Sequence, residues 1–377
     1  AAHKPDTMGE PVSDFAQAWG ASLLDIYEVG SPSERAKITD EALARRVAVK
    51  RWDASRYAVL GALQDCSRNH GEVVRVEEIS TGKIYAGKRM PLDWVRSDVE
   101  EFFACHPGET EIPWMDMGTT MWLNRQGYRH VVDTLGVYLD GEHIIFLMGY
   151  AAGGDLFSYV DSEIIPGSKL KLRSHGPGPE REATLKPLVR ELLSAVAWLH
   201  SLGVAHRDLS LENVLLANEG EGPVKLIDFG MATSQRMHHG APRGKPSYIA
   251  PEVHGEDGYD AFQADVFSCG VILYCLALRD YPWMSTRPGQ CKCFDFVRKH
   301  GFNAYIAKRQ MPIGTDRIPT SQVLSEELAS LLSGLLEVDP ARRLSLHGNV
   351  HPSIWTHPWL QDGVRAEELQ LVNQQAN

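Results

Sequence analysis

The chain has 377 residues, of which 43% are hydrophobic and 23% charged, and its formal net charge is −11. This balance is typical of a folded globular protein, and the negative charge argues against binding to nucleic acid or to an anionic membrane surface. No segment approaches the roughly 18 apolar residues of a transmembrane helix, and the longest apolar candidate, 270–278, is predicted to be a core helix. The six cysteines are scattered without zinc-ligand spacing, which favours a reducing compartment, with the cytoplasm as the default expectation.

The first part of the chain is predicted to form an N-terminal extension, 1–56, and a small strand-rich lobe, 57–150. Alternating valines on either side of a Thr81-Gly82 turn predict an antiparallel hairpin within this lobe. The other elements predicted in this part are a helical patch at 43–49, a helical region at 98–127 interrupted by Pro107 and Pro113, and a strand at 143–148.

The second part, 151–360, is predicted to form a larger and mainly helical lobe, followed by a polar tail at 361–377. Apolar residues at helical spacing indicate a helix around 191–200. The other predicted features are a Gly- and Pro-rich loop at 166–179, short strands at 214–216 and 224–227, and helices over 265–360. The fold class is therefore α+β, with two lobes of unequal size and composition.

Three short motifs occur in a fixed order in the second lobe. Residues 206–213 read HRDLSLEN, residues 228–230 read DFG after a predicted strand, and residues 250–252 read APE. Upstream, residues 85–88 read YAGK at the end of another predicted strand. Any one of these tripeptides or tetrapeptides is weak evidence, whereas the ordered series is specific.

The series resembles the eukaryotic protein kinase family over about 57–360, in the serine/threonine form. The GGDLF segment at 153–157 is most similar to the calcium/calmodulin-dependent and cyclic-nucleotide-dependent branch. Asp265 resembles the helix residue that braces the catalytic loop, and Arg343 resembles the arginine that pairs with the glutamate of APE, here Glu252. No EF-hand pattern occurs in the sequence, so no calcium switch is expected within it.

The resemblance implies Mg²⁺ and ATP as cofactor and co-substrate, and a protein with a serine or threonine acceptor as substrate. Asp208 would accept or orient the proton of the incoming hydroxyl, and Lys88 would hold the α- and β-phosphates. Asp228 and Asn213 would be the metal ligands. This chemistry needs fixed cations and metal ions around a concentrated negative charge.

The resemblance also implies a nucleotide pocket. Met148 would be the gatekeeper behind the adenine, the backbones of Gly149 and Ala151 would bond to the adenine, and Asp155 would face the ribose. Gly71 and Val73 would end the glycine-rich loop. In that alignment Cys66 and Arg68 occupy the earlier glycine positions; alternatively, Leu60 and Gly61 open the loop and several residues are inserted.

Other positions also depart from the family pattern. The helix glutamate that should pair with Lys88 falls at Thr119, and Asp116 and Glu111 are unranked substitutes. Ser210 replaces the lysine of the catalytic loop, and Lys245 replaces a threonine beside it. We hypothesise that Lys245 restores the missing charge and so belongs to the catalytic group; the alternative is that it points to solvent.

Ala241 stands at the usual activation-loop phosphosite, so Arg207, which would receive that phosphate, lacks an evident partner. Asp155 and Glu212 occupy positions where related kinases bind arginines of the substrate, and this predicts acceptors near basic residues.

Two other classes of protein are possible readings of this sequence. Small-molecule kinases share an HxDxxxxN loop and a later metal-binding aspartate, but they lack the APE element that builds a platform for polypeptides. A pseudokinase, a nucleotide-binding or protein-binding scaffold, would explain the degenerate glycine loop. It would not need Lys88, Asp208, Asn213 and Asp228 together, and an active kinase is therefore preferred.

Overall fold

The computed structural model describes residues 39–44, 47–66, 70–161, 176–218, 221–313, 315–347 and 353–361. The chain divides into two compact units. The N-terminal unit contains the chain up to Gly127 and Val131–Tyr150, and the C-terminal unit contains Tyr128–His130 and the chain from Ala151 onward. The predicted tail after Gln361, most of the predicted extension, and most of the predicted loop at 166–179 lie outside the described residues.

The N-terminal unit is built on a six-stranded sheet in the order β1-β5-β6-β4-β3-β2. Its strands are β1 (Val49–Arg51), β2 (Tyr57–Cys66), β3 (Gly71–Glu78), β4 (Lys83–Pro91), β5 (Thr134–Asp140) and β6 (His143–Gly149). Its helices are α1 (Asp40–Ala44), α2 (Leu92–Val95), α3 (Val99–Cys105) and α4 (Pro113–Arg125). All neighbouring strands run antiparallel except β1, which pairs parallel to β5.

Strand β4 lies between β3 and β6, and this position buries the middle of the strand on both sides. Lys88 is paired with Val73 on one neighbour and with Phe146 on the other. Val74, Val76 and Ile145 close around Gly87, where an added Cβ would lie 3.1–3.2 Å from their methyl groups. The lysine therefore emerges from a tightly packed sheet and not from a mobile edge.

Helix α4 is packed against α1 at a glycine. A Cβ on Gly118 would lie 1.7 Å from the carbonyl oxygen of Leu43, so no larger residue fits without a backbone shift. Leu43 and Ala44 are buried in the contact. The segment before the sheet thus holds one face of α4.

The C-terminal unit is mainly helical. Its helices are α5 (Leu156–Asp161), α6 (Pro179–Ser201), α7 (Ala261–Leu278), α8 (Lys292–His300), α9 (Phe302–Lys308), α10 (Glu326–Leu335) and α11 (Pro358–Gln361). Its short strands form three two-stranded ribbons, β7 (Val214–Asn218) with β8 (Glu221–Leu226), β9 (Met237–His238) with β10 (Tyr259–Asp260), and β11 (Gln310–Ile313) with β12 (Asp316–Pro319). Single turns of 3₁₀ helix occur at Leu211–Asn213, Pro251–His254, Thr320–Gln322 and Ile354–Thr356.

Helix α7 forms the centre of this unit. Its N-cap is Asp260, whose carboxylate accepts from the N–H groups of Phe262 and Gln263. Every residue of the helix except Phe262 is buried. Within the described residues it alone is long and apolar enough to cross a membrane, and its burial identifies it as a core helix.

The structure corrects several predicted boundaries. The helix predicted at 43–49 ends at Ala44, and Val49 begins a strand. Pro179 begins helix α6, where its missing N–H has no cost, and does not end a loop. The ribbon of β11 and β12 lies in a region predicted to be helical. The predicted hairpin, the break before Pro113 and the strand at 143–148 are confirmed.

Candidate active site

In the N-terminal unit, Lys88 forms a buried ion pair with helix α4. Its Nζ lies 2.7 Å from Oδ2 of Asp116, to which it donates a hydrogen bond, and 3.6 Å from Oε1 of Glu111. The side chains of Lys88, Asp116 and Glu111 are all less than a tenth exposed. Two carboxylates therefore balance one buried ammonium, which is the condition for keeping a charge in a protein interior.

The helix start explains why Asp116 reaches the lysine. Pro113 is the first residue of α4, and Asp116 lies in the first turn, where the helix dipole favours a carboxylate. Thr119, where alignment places the family glutamate, is fully buried, and its hydroxyl has no hydrogen-bond partner in the described part of the chain. The sequence left Asp116 and Glu111 unranked, and the structure brings both to Lys88.

In the C-terminal unit, Asp208 and Asn213 are tied together across the catalytic loop. Nδ2 of Asn213 donates to the carbonyl oxygen of Asp208 at 2.7 Å and to its Oδ2 at 3.2 Å. Both residues are buried. The amide nitrogen is used inside the loop, so the amide oxygen is the atom left to bind a ligand.

Asp265 of helix α7 holds the backbone of the same loop. Its carboxylate accepts from the backbone N–H groups of His206 and Arg207, both at 2.8 Å, and lies 2.9 Å from Nε2 of His200. Burial would raise the pKa of Asp265, but the hydrogen bonds from His200 and from the His206 N–H outweigh burial and hold that pKa below its usual value. The predicted bracing role of this aspartate is confirmed by these contacts.

Arg207 has a partner that the sequence did not reveal. Its Nε donates to the hydroxyl of Tyr259 at 3.0 Å, and its Nη1 donates to the carbonyl of Met231 at 3.2 Å. Tyr259 lies on β10, which pairs with β9 in the activation segment, the stretch between the DFG and APE motifs (228–252). A phenol thus accepts from one nitrogen of the arginine that a phosphate would otherwise bind, in a chain that has Ala241 at the phosphosite position.

The backbone is strained at two of the motif residues. Arg207 has φ +65° and Asp228 has φ +66°, in the left-handed region that non-glycine residues seldom adopt. Next to Asp228, the ring of Phe229 is fully buried and lies 4.8 Å from the ring of His206, whose Nε2 bonds to the carbonyl of Ile227. These contacts hold both loops in conformations that are costly in isolation.

Lys245 contacts the catalytic loop directly. Its Nζ donates to Oγ of Ser210 at 2.8 Å and forms an ion pair with Oε2 of Glu212 at 2.9 Å. The residue before it, Gly244, has φ +101°, and a Cβ there would lie 3.2 Å from Oδ1 of Asp208. The sequence suggested that Lys245 could reach back toward the catalytic centre; it did not suggest the ion pair with Glu212.

A buried arginine pairs with the glutamate of the APE motif. Arg343 is fully buried, and its two Nη atoms donate to the two carboxylate oxygens of Glu252 at 2.6 and 2.9 Å. This bidentate geometry is the strongest form of the arginine–carboxylate contact. The pairing expected from the resemblance is confirmed.

The residues predicted to contact the nucleotide are distributed over both units. In the N-terminal unit, Met148 is half-buried on β6, where it pairs with Ala86 and Thr134 on the neighbouring strands. The N–H of Gly149 donates to the backbone carbonyl oxygen of Asp133. Gly71 and Val73 lie on β3, where a Cβ on Gly71 would strike the carbonyl oxygen of Arg89 at 2.2 Å.

In the C-terminal unit, Asp155 precedes helix α5 and caps its first turn. Its two carboxylate oxygens accept from the N–H and the hydroxyl of Ser158 at 2.7 and 3.1 Å. The N–H of Ala151 has no hydrogen-bond partner among the described residues. Within the part of the chain that the structure describes, this N–H is therefore available for the bond predicted to the adenine.

The donor set fits Mg²⁺ held jointly with a nucleotide. Among the described residues, no group of three or more His, Cys, Asp or Glu side chains could hold a metal alone. Mg²⁺ is commonly bound by one or two carboxylates together with substrate phosphates and water. Asp228 supplies a carboxylate and Asn213 an amide oxygen, which matches that pattern.

The two units, the anchored catalytic loop and the buried Lys88 ion pair define a protein kinase domain. The family model described as the protein kinase domain matches residues 68–360. The chain belongs to the protein kinase family.

Three relatives illustrate the similarity, two named as serine/threonine-protein kinases and one named as a protein kinase. SRK2E of Arabidopsis thaliana is 32% identical over 250 residues, which are 65% of this chain and 60% of that protein. SAPK3 of Oryza sativa subsp. indica is 34% identical over 242 residues, 63% of each chain. The CBL-interacting protein kinase 29 of Oryza sativa subsp. japonica is 31% identical over 252 residues, 66% of this chain and 48% of that protein. The matched region spans less than two thirds of each relative.

Proposed function

We propose that this chain transfers the γ-phosphoryl group of Mg²⁺-ATP to serine or threonine hydroxyls of protein substrates. The observation that carries the proposal is the catalytic loop, in which Asn213 holds Asp208 and Asp265 anchors the backbone. A catalytic aspartate fixed in this way needs no reorganisation when the hydroxyl arrives, and such preorganisation is the main source of catalysis in this reaction class. The serine/threonine relatives support the choice of acceptor.

In the C-terminal unit, we assign proton handling to Asp208 and metal binding to Asp228 and Asn213. Bound Mg²⁺ would neutralise the phosphate charge. Asp208 accepts or orients the acceptor proton with a carboxylate already held on one side by Asn213. Asp155 and the N–H of Ala151 are assigned to the ribose and the adenine.

In the N-terminal unit, we assign phosphate binding to Lys88, which Asp116 and Glu111 orient in place of the usual glutamate. Met148 is assigned to the back of the adenine pocket. Gly149 donates its N–H to Asp133, so its carbonyl is the group assigned to the adenine.

A preference for basic residues near the acceptor stays a prediction. Glu212 has one carboxylate oxygen in the ion pair with Lys245, and both oxygens of Asp155 accept from Ser158. An arginine of the substrate would compete with these contacts, so we expect the preference to be weak. The placement of the chain near the calcium/calmodulin-dependent branch also stays a prediction.

The alternative, a pseudokinase scaffold, is favoured by one observation. Gly71 is required by its contact with the Arg89 backbone, so its presence is no evidence for a phosphate-binding loop. Of the positions predicted to precede it in that loop, Arg68 lies outside the described residues, as does the side chain of Cys66.

One experiment separates the two candidate functions. Thermal melting with and without Mg²⁺-ATP measures nucleotide binding, and transfer of labelled γ-phosphate to mixed Ser/Thr peptides measures catalysis. A kinase shows both a shift in melting temperature and transfer that requires Mg²⁺. A scaffold shows no transfer, whether or not its melting temperature shifts.

A further inference from the structure

The catalytic loop of this chain lacks the lysine expected at position 210, and a lysine from the activation segment contacts it there. At position 210, where the resemblance to serine/threonine kinases implies a lysine, the chain has Ser210, and its hydroxyl accepts from Nζ of Lys245 at 2.8 Å. The ammonium of Lys245 therefore lies one hydrogen bond from the serine at the position where the lysine is expected.

The segment that carries Lys245 also touches the catalytic carboxylate. A Cβ on Gly244 would lie 3.2 Å from Oδ1 of Asp208 and 3.1 Å from the carbonyl oxygen of Arg207. Lys245 begins one residue further on, and its long stem returns to the loop two residues beyond Asp208. Its ammonium is thus held by Ser210 and Glu212, on the loop that carries Asp208.

We propose that Lys245 is a catalytic residue that supplies the missing loop cation from the activation segment, an inference that rests on the proposed kinase function. Lys245 donates a hydrogen bond to a non-bridging oxygen of the transferring phosphoryl group. Meanwhile the acceptor oxygen bonds to phosphorus, the bond to the leaving ADP oxygen breaks, and Asp208 receives the hydroxyl proton. Ser210 and Glu212 hold the ammonium in place before the substrate arrives.

The ion pair between Lys245 and Glu212 also affects the binding of a substrate arginine. Its ion pair with Lys245 uses a carboxylate that would otherwise face a substrate arginine. Removal of the lysine should therefore lower the rate and, separately, increase the preference for arginine N-terminal to the acceptor.

The test compares the parent chain with Lys245→Thr, with the double variant Lys245→Thr/Ser210→Lys, and with the control Lys299→Thr. Lys299 is an exposed lysine on helix α8 of the same unit, so the control removes an equal charge. We expect Lys245→Thr to lower kcat about 10²- to 10³-fold, the typical loss for one transition-state donor, with KM for ATP changed much less. The double variant should recover most of kcat, and the control should match the parent.

A binding measurement accompanies the kinetics. Melting shifts are compared for Mg²⁺-ADP alone and with aluminium fluoride, which mimics the transferring phosphoryl group. Lys245→Thr should lose the extra shift due to the fluoride complex, and the double variant should regain it.

The possible results distinguish failure of this inference from failure of the proposed kinase function. A parent that transfers phosphate, with Lys245→Thr within twofold of it, overturns the inference alone. A loss in the single variant with no recovery in the double variant assigns Lys245 to structure and also overturns it. A folded parent that transfers no phosphate overturns the proposed function and the inference together.

Discussion

Replacing Asp116 by Asn removes the carboxylate closest to the buried Lys88 ammonium, at 2.7 Å. Loss of one partner of a buried ion pair costs about 3–5 kcal/mol when nothing compensates. Here Glu111 remains at 3.6 Å, and because Coulomb energy falls inversely with distance, its attraction for the ammonium is about three quarters as strong. We therefore expect Asp116→Asn to cost only about 1–2 kcal/mol of unfolding free energy.

The double variant is the sharper form of this prediction. Glu111→Gln alone should cost less than Asp116→Asn, because the nearer carboxylate remains. Both changes together should cost about 3–5 kcal/mol, more than the sum of the single effects, because each carboxylate partly compensates for the loss of the other and neither then remains beside Lys88. Urea unfolding of the full-length variants measures these free energies. Additive single costs, or a larger cost for Glu111→Gln, would refute the shared ion pair.

Three further predictions concern regions around the site. Tyr259→Phe removes the hydroxyl that binds Arg207 and should cost about 1–3 kcal/mol in urea unfolding, because a buried guanidinium donor loses its acceptor; a cost near zero would show that the bond is unimportant. Gly118→Ala should displace helix α1 from α4 and lower the melting temperature. The control Gly176→Ala should leave the melting temperature unchanged, because a Cβ there meets no atom within 4 Å. Equal melting temperatures of the two variants would refute the close contact at Gly118. Burial lowers the pKa of His130 from its usual 6.5 to about 4, so the unfolded chain binds a proton that the folded chain does not. Stability should therefore rise between about pH 4 and pH 6.5, and this rise should be smaller in His130→Gln.

The sequence predicted those features of the site that depend on local patterns. The ordered motifs placed Asp208, Asn213 and Asp228 in one lobe and Lys88 in the other, and the structure has these residues in the corresponding units. The hairpin at Thr81 was also predictable, because turn residues between alternating strands are a local signal.

The partners of the buried charges could not be predicted in the same way. The choice of Asp116 for Lys88 depends on how α4 packs against the sheet, which nearby residues do not encode, although Pro113 marks where the helix begins. The contact of Arg207 with Tyr259 joins residues 52 positions apart in the chain. Alignment to the family indicated Thr119 for the lysine partner, whereas helix packing places a carboxylate one turn earlier.

The reach of Lys245 to Ser210 was predictable from side-chain length once the resemblance had set the two positions. Its ion pair with Glu212 was not, because the same glutamate was assigned to substrate recognition. The close contact of Gly118 with Leu43 was missed because 43–49 was predicted as one continuous helical patch.

The measurement that tests the central claim most directly is phosphoryl transfer by Asp208→Asn beside the parent chain. We predict that the parent transfers labelled γ-phosphate to Ser/Thr peptides in the presence of Mg²⁺. The variant Asp208→Asn should bind Mg²⁺-ATP with similar affinity but transfer almost no phosphate. Near-normal transfer by Asp208→Asn would contradict the assignment of the catalytic loop.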